Sequence, residues 1–242
     1  MSQPPHRPED TTREHYKGLP ICSARGLHEG CFQLLRRYLA PGSACLELGA
    51  GSGAFSQRLV DAGHTVQAHD LDASRFGAKG IPLWTHDLNR PIPDGLRGRT
   101  YDLVVAIEVI EHLRDPVGFL ETCDAFCRPG GLILLTTPNT VDPLSYAMYL
   151  KRGQFLFHNP ASYRTDGHIA VLPFWLLECY FRQMGLEVVE RTSLGRSSPV
   201  KARLAQVGQS VIQCLLGRKI PKELRRGDCL CYLLRRPSGS GA

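Results

Sequence analysis

Acidic side chains bracket a glycine-rich turn in the first half of this chain. Glu47 lies just before Gly49-Ala50-Gly51-Ser52-Gly53, and Asp70 follows Glu47 by 23 positions. Further on, Asp87 closes the segment Trp84-Thr85-His86-Asp87, and Glu108-Val109-Ile110-Glu111-His112 follows an apolar run that begins at Tyr101. Glycines let a backbone come close to a ligand at a helix N-terminus. A carboxylate such as Asp70 has two acceptor oxygens, one for each hydroxyl of a ribose. Read loosely, Gly49, Gly51 and Ala54 also match the G-x-G-x-x-A pattern of dinucleotide sites, so a nicotinamide-dependent oxidoreductase is the competing reading. Charge separates the two. Glu47 would repel a pyrophosphate and attract a cation, and an adenosine bearing a sulfonium and an ammonium group, S-adenosylmethionine, meets that requirement.

Transfer of a methyl group from a sulfonium is an in-line displacement, so alignment of the reacting atoms carries most of the catalysis. A hydroxyl acceptor must also lose a proton, which calls for a base. Two histidines compete for that role: His112, just past the apolar run, and His168, in a long segment with no clear period. A neutral imidazole has a suitable pKa near neutrality. Each candidate also has a plainer role open to it. Either histidine could hydrogen-bond a loop, Asp87 could cap a turn, and Glu108 and Glu111 could form salt bridges. The nine cysteines include no C-x-x-C pair and no histidine cluster stands beside them, so no metal is expected.

The elements that must position these residues are legible from periodicity and punctuation. Strands are predicted over 44–48, 64–69, 101–107 and 132–137, with helices starting near Leu27, Phe55 and Asp115-Pro116. Pro41-Gly42, Gly63 and Pro129-Gly130-Gly131 end those helices in turn. Alternation of this kind predicts an α/β fold with a doubly wound, mostly parallel sheet and helices on both faces. Residues 139–172 read as an insertion covering the substrate. Tyr146, Tyr149, Phe155, Phe157, Tyr163 and, just beyond it, Trp175 are candidates for an aromatic lining. A helix over 174–184, a strand over 186–191, an amphipathic helix over 200–216 and a strand over 229–234 complete the expected order. Residues 1–26 read as a flexible arm or lid, 27–236 as one domain and 237–242 as a tail.

Four segments in order resemble one family. Cys45-Leu46-Glu47-Leu48-Gly49-Ala50-Gly51-Ser52-Gly53 is similar to the first motif of class I S-adenosylmethionine-dependent methyltransferases, and His69-Asp70-Leu71-Asp72 to their second. Tyr101-Asp102-Leu103-Val104-Val105 with Glu108-Val109-Ile110-Glu111-His112 resembles the fourth-strand segment of the subgroup of ubiquinone-biosynthesis O-methyltransferases. Arg128-Pro129-Gly130-Gly131 and Thr137-Pro138-Asn139 resemble that subgroup's next turn and strand. The resemblance spans roughly residues 30 to 140, and more loosely on to Arg191. It implies a Rossmann-like sheet of seven strands and places Gly49, Ala50, Gly51 and Gly53 around the methionine part of the cofactor. It further puts Glu47 near the amino group, Asp70 on the ribose, Asp87 on the adenine amino group and Glu108 near the methyl donor.

Composition sets the outer limits. The 242 residues are 43% hydrophobic, enough for one large globular domain, and the net charge of +6 is mild. A dedicated nucleic-acid binder would concentrate its charge in a stripe. The apolar runs fall short of a membrane span and the N-terminus lacks an apolar signal core, so a cytoplasmic enzyme acting on a small molecule is expected. The basic, amphipathic stretch between Arg196 and Arg226 would allow peripheral membrane contact and a lipid- or sugar-linked acceptor. The expected chemistry is O-methylation, with nitrogen and carbon acceptors as alternatives. Oligomeric state is open.

Overall fold

A computed structural model describes residues 14–195 and 220–238. Its centre is a seven-stranded sheet built from β3 (Ala44–Leu48), β4 (Thr65–Asp70), β5 (Leu83–Thr85), β6 (Tyr101–Ile107), β7 (Cys127–Pro138), β8 (Glu187–Leu194) and β9 (Cys229–Arg235). The spatial order is β5-β4-β3-β6-β7-β9-β8. All pairings are parallel except those of β9, which runs antiparallel to both neighbours. This is the mostly parallel, doubly wound α/β sheet that the motif order predicts.

Two-sided burial explains why the strands are apolar nearly throughout. Leu46, Leu48, Val104, Ala106, Ile133, Leu135, Leu230 and Tyr232 point to one face, where they pack with Phe119, Leu120, Cys123, Leu177 and Phe181. Cys45, Leu103, Val105, Leu132, Leu134, Cys229 and Cys231 alternate with them and meet Leu27, Cys31, Phe55 and Leu59 on the other. The helices that supply those partners are α1 (Leu27–Leu35), α2 (Ala54–Asp61), α3 (Pro116–Phe126) and α6 (Phe174–Gln183). A fully buried side chain of this size contributes about 1.5–3 kcal/mol, so each alternate position is strongly bound to its face. The described cysteines are free thiols; Cys22 and Cys179 are exposed and the others are small core residues.

The chain departs from the sequence expectations in four places. Strand β7 starts at Cys127, ahead of Pro129-Gly130-Gly131, so that turn is an irregularity inside the strand. Tyr101 pairs with Cys127, and the register then shifts so that Leu103 meets Leu132. Gly130 N–H and Gly131 C=O bond Arg236, which keeps the bulged segment in the sheet. The insertion is also less irregular than expected, since it contains α4 (Pro143–Arg152) and α5 (Pro160–Thr165). Part of the N-terminal arm forms a two-stranded hairpin, β1 (His15–Tyr16) with β2 (Leu19–Pro20). Tyr16 donates to Asp61 on α2 and Ser52 Oγ donates to the Pro20 carbonyl, so the hairpin abuts the glycine turn. On α2, finally, the spacing puts Phe55, Leu59 and Val60 on one apolar side, and the structure buries the first two and leaves Val60 exposed. The amphipathic helix expected over 200–216 lies outside the described residues.

Candidate functional site

Strands β3, β4 and β6 are neighbours, and all three end at the same edge of the sheet. Their next residues, Gly49, Leu71 and Glu108, therefore surround one crevice, where the winding of the sheet reverses. Gly49, Gly51 and Gly53 hold φ of 73°, 55° and 80°, a left-handed path that glycine adopts without cost. A β-carbon at Gly49 would lie 2.5 Å from Val109 Cγ2, so glycine is also required there for close packing.

Asp70 and His69 fix this turn from the neighbouring strand. Asp70 Oδ2 accepts from Gly51 N–H at 2.6 Å, and Oδ1 accepts from Asp72 N–H at 3.0 Å. Ala50 N–H donates to the His69 carbonyl at 2.8 Å. A carbonyl only accepts, so His69 Nε2 carries the proton it shares with His86 O at 2.9 Å. That leaves Nδ1 to receive Gly49 N–H at 3.4 Å. His69 is buried and its ring lies 4.2 Å from that of Trp84. Its role as a clamp between glycine turn and β5 was missed in the sequence, although His69 sits inside the second motif.

Glu47 is 3% exposed and accepts a hydrogen bond from Ser56 Oγ on α2. Burial drives its carboxyl up to about 7, a rise that the Ser56 bonds only partly offset. Glu108 is driven up to about 7 as well, again chiefly by burial. Its Oε1 accepts from Thr136 Oγ1 at 2.8 Å, and Cys229 Sγ lies 3.3 Å from Oε2. Glu108 also holds φ of 55°, costly for a side chain of this kind by about 1–2 kcal/mol. The strained turn brings its N–H to Thr136 Oγ1 at 3.0 Å. Two acids held short of full ionisation at one crevice fit a ligand that carries positive charge. Asp70, whose two oxygens each accept one backbone N–H, keeps a lone pair on both for a further donor.

Asp87 has half of its carboxylate committed elsewhere. Oδ1 accepts from Asn89 N–H and Nδ2, at 2.9 and 3.0 Å, forming a local turn, while Oδ2 faces Arg90 at 3.7 Å. The turn-capping role weighed for Asp87 in the sequence is therefore present.

The two histidines singled out by sequence come together. The rings of His112 and His168 lie edge to face with centroids 4.8 Å apart. The backbone carbonyl of Glu111 accepts from Ile169 N–H and Ala170 N–H, at 2.9 and 3.0 Å, which pins the insertion beside β6. His168 Nδ1 donates to Phe157 O at 2.7 Å, so its Nε2 is the nitrogen with a free lone pair. Burial, helped by the nearby His168, lowers the pKa of His112 and keeps it neutral. Glu111 is fully buried, and neither it nor Glu108 pairs with a lysine or arginine among the described residues. Sequence spacing gave no sign that Glu111, His112 and His168 converge, yet their ligand atoms lie within 4.8 Å of one another.

Of the six aromatic candidates, Tyr146, Phe155 and Phe157 are half-buried. Tyr149 and Phe155 stack on each other at 4.7 Å, and Tyr149, Tyr163 and Trp175 are exposed. Arg152 and Arg164 are exposed as well.

Comparisons with known proteins agree with this architecture. The sequence profile of a family described as Methyltransferase domain matches residues 23–191. A ubiquinone biosynthesis O-methyltransferase of Cereibacter sphaeroides is 27% identical over 159 residues, covering 63% of this chain and 64% of that protein. One from Caulobacter sp. is 34% identical over 109 residues, or 40% and 42% of the two chains. The match thus spans less than two thirds of these relatives' own length. Among solved structures, a SAM-dependent methyltransferase from Archaeoglobus fulgidus aligns over 87% of this chain and 95% of its own, with TM-score 0.55 and 17% identity. The N-methyltransferase NodS of Bradyrhizobium japonicum, solved with S-adenosyl-L-homocysteine, aligns over 86% of both chains with TM-score 0.52 and 19% identity. With a matching profile over most of its length, the chain belongs to the methyltransferase-domain family, and its sheet has the class I methyltransferase fold.

Proposed function

We propose that the chain methylates a hydroxyl oxygen of a small-molecule acceptor. The observation that carries the acceptor side of this reading is the His112 and His168 pair at the carboxyl edge of the sheet, with His168 Nε2 free to take a proton. When bound, S-adenosylmethionine supplies an electrophilic methyl group on a sulfonium leaving group. Asp70 takes the ribose hydroxyls while keeping Gly51 N–H, since each carboxylate oxygen has two lone pairs. Glu47 draws the ammonium end toward β3, and Asp87 receives the adenine amino group on the oxygen not used by Asn89. Glu108 sits at the reacting end, where Thr136 and Cys229 fix its carboxylate. The acceptor enters between β6 and the insertion, its hydroxyl facing the two imidazoles, and its proton leaves to that cluster as the oxygen attacks.

The O-methyltransferase names of the curated relatives support oxygen over nitrogen or carbon as acceptor. The basic stretch around Lys222, Arg225 and Arg226 keeps a lipid- or sugar-linked acceptor within this proposal, with membrane contact peripheral, because no described helix is long and apolar enough to cross a membrane. The test is incubation with methyl-labelled cofactor and fractionated metabolites, soluble and lipid-linked, followed by mass spectrometry of the labelled product. A methoxy product is expected, and an N-methyl or C-methyl product overturns the reading. His112→Ala and His168→Ala should each slow single-turnover transfer by about a hundredfold or more. Unchanged rates in both would remove the cluster from the reaction. Calorimetry should show binding of S-adenosylmethionine and none of NAD, which disposes of the oxidoreductase alternative.

A further inference from the structure

The proposed reaction assigns no part to His69, although this side chain touches both ends of the crevice. His69 is 1% exposed and directly precedes Asp70 at the end of β4. Its ring bonds the His86 carbonyl at 2.9 Å on one side and receives Gly49 N–H at 3.4 Å on the other. His86 is the neighbour of Asp87, and Gly49 opens the glycine turn. One imidazole therefore connects the segment assigned to the adenine with the segment assigned to the methionine, by a route that does not pass through the Asp70 carboxylate.

Only one form of the ring serves both bonds. A carbonyl accepts and a backbone N–H donates, so Nε2 carries the proton and Nδ1 the lone pair. The other neutral tautomer loses both bonds at once, and the imidazolium sets a second N–H against that of Gly49. Burial lowers the pKa of His69, an effect that the His86 bond and the Asp70 charge offset only in part, so the ring is neutral. Packing fixes its position. The ring centroid lies 4.2 Å from that of Trp84 on β5, and Trp84 packs against the core. Backbone bonds fasten both segments to β4 on either side of the ring: Ala50 N–H donates to the His69 carbonyl at 2.8 Å, and His86 N–H to the Asp70 carbonyl at 3.4 Å.

The two ring bonds are not independent. An imidazole that accepts a stronger hydrogen bond at one nitrogen becomes a better donor at the other, by roughly 10–30% per bond. The bond at Nε2 already has an ordinary length, whereas the bond at Nδ1 is long, so the slack lies at Gly49. A ligand that draws the glycine turn toward β4 shortens that bond, and a ligand that fixes His86 holds the ring from the other side. We propose that His69 is a positioning residue that makes the two ends of the cofactor site cooperative, a coupling that rests on the adenine and methionine placements proposed above. Occupation of the Asp87 segment by an adenine orders Gly49 for the amino-acid end, and the reverse. The consequence is selectivity for the intact cofactor over adenine nucleosides and over free methionine, each of which engages one end only.

The test uses the full chain and two fragments that cannot reach each other's end: adenine, which has no ribose to meet Asp70, and L-methionine. Adenine alone should shift the Gly49 amide resonance and slow its hydrogen exchange, and L-methionine alone should do the same at the His86 and Asp87 amides. Each fragment should raise the affinity of the other by one common factor of about fivefold, because such coupling is reciprocal. His69→Phe keeps a ring in place and removes both bonds, so the factor should fall below about twofold. His69→Gln retains a donor and an acceptor and should recover part of it. Nitrogen NMR of the His69 ring should find the proton on Nε2, and a proton on Nδ1 overturns the proposal. Adenine that perturbs the amides of residues 86–89 but not that of Gly49 overturns the coupling and leaves the cofactor placement standing. A factor unchanged by His69→Phe in protein of undiminished melting temperature does so too. Where His69→Phe does not fold, the wild-type exchange measurement decides alone. Adenine that perturbs neither segment overturns the placement, and the coupling with it.

Discussion

Glu47 and Glu108 share one electrostatic condition: Glu47 is buried and Glu108 half-buried, each has too few donors to hold a full charge, and each is pushed up to about 7. An acid whose pKa is higher folded than unfolded contributes stability below its unfolded value near 4.5, and that contribution is lost as pH rises through about 7. The ligand-free protein should therefore lose stability over that window on account of these two groups. A cationic ligand reverses the preference, because it favours the ionised acids and releases their protons on binding. The dissociation constant for S-adenosylmethionine should fall with rising pH up to about 7, by at most tenfold per unit for each proton released, and level off above. Calorimetry between about pH 5.5 and 8 checks this, and Glu47→Gln should flatten the slope. A dissociation constant independent of pH in the wild type would show that neither acid meets the cation. Asp70→Asn tests the other end of the site. Loss of a charge-assisted acceptor for the ribose should weaken cofactor binding by about 1.5–3 kcal/mol, or roughly 10- to 150-fold. These acids were legible because strand, glycine turn and acid lie close together in the chain. A turn-capping role for Asp87 was weighed in advance, with Asn89 as its partner appearing only in the structure, whereas the clamp made by His69 needs the neighbouring strands to be seen at all.

At the scale of the element, the glycine turn separates packing from ligand access. Gly49 and Gly51 both have left-handed φ, so alanine at either costs about 1–2 kcal/mol in backbone strain. Only Gly49 has a neighbour in the way, with Val109 Cγ2 2.5 Å from the site of a β-carbon, whereas nothing lies within 4 Å at Gly51. Gly49→Ala should then lose roughly 1–3 kcal/mol beyond the strain as β6 and the turn are forced apart. Gly51→Ala should keep most of its stability and lose cofactor affinity instead, through crowding of the open crevice. Thermal unfolding together with cofactor titration distinguishes the two, and equal melting temperatures would sink the argument. The strands and the main helices could be read in advance because burial on two faces leaves long apolar runs with a period. Helices α4 and α5 could not be read that way. Their buried residues are Pro143 and Ser145 in α4 and Ser162 in α5, too few and too small to mark a period. What the sequence does offer is a cap signal at each start: Asp142 before Pro143, and Asn159 before Pro160, with both side chains accepting backbone N–H groups.

At the scale of the whole molecule, the acceptor side of the site depends on holding distant segments against the sheet. His168 meets His112 only because Glu111 O accepts from Ile169 and Ala170, while His158 Nε2 donates to Ala170 O at 2.8 Å. No local pattern encodes a contact between residues so far apart, which is why sequence found both histidines and not Glu111 as their companion. Asn139 anchors the entry to the same insertion. It is 1% exposed, and its Nδ2 donates to the carbonyls of Leu224 and Gly227, at 2.7 and 2.9 Å, while Oδ1 accepts from Val141 N–H at 3.0 Å. One side chain thus joins the end of β7, the start of the insertion and the segment leading into β9. Asn139→Leu removes both donors and strands two carbonyls in the interior, at about 1–3 kcal/mol for each one left unsatisfied. Cofactor affinity should fall less than turnover, because Glu47, Asp70 and the glycine turn lie on the other half of the sheet and of the cofactor-side acids only Glu108 is held from β7 and β9. Methyl transfer should fall further than stability measured below the melting transition would explain, since His168 loses its fixed position opposite His112. Denaturant unfolding, cofactor titration and single-turnover transfer on one preparation separate the three effects. Equal losses of affinity and turnover would mean that the two halves of the site are not independently supported.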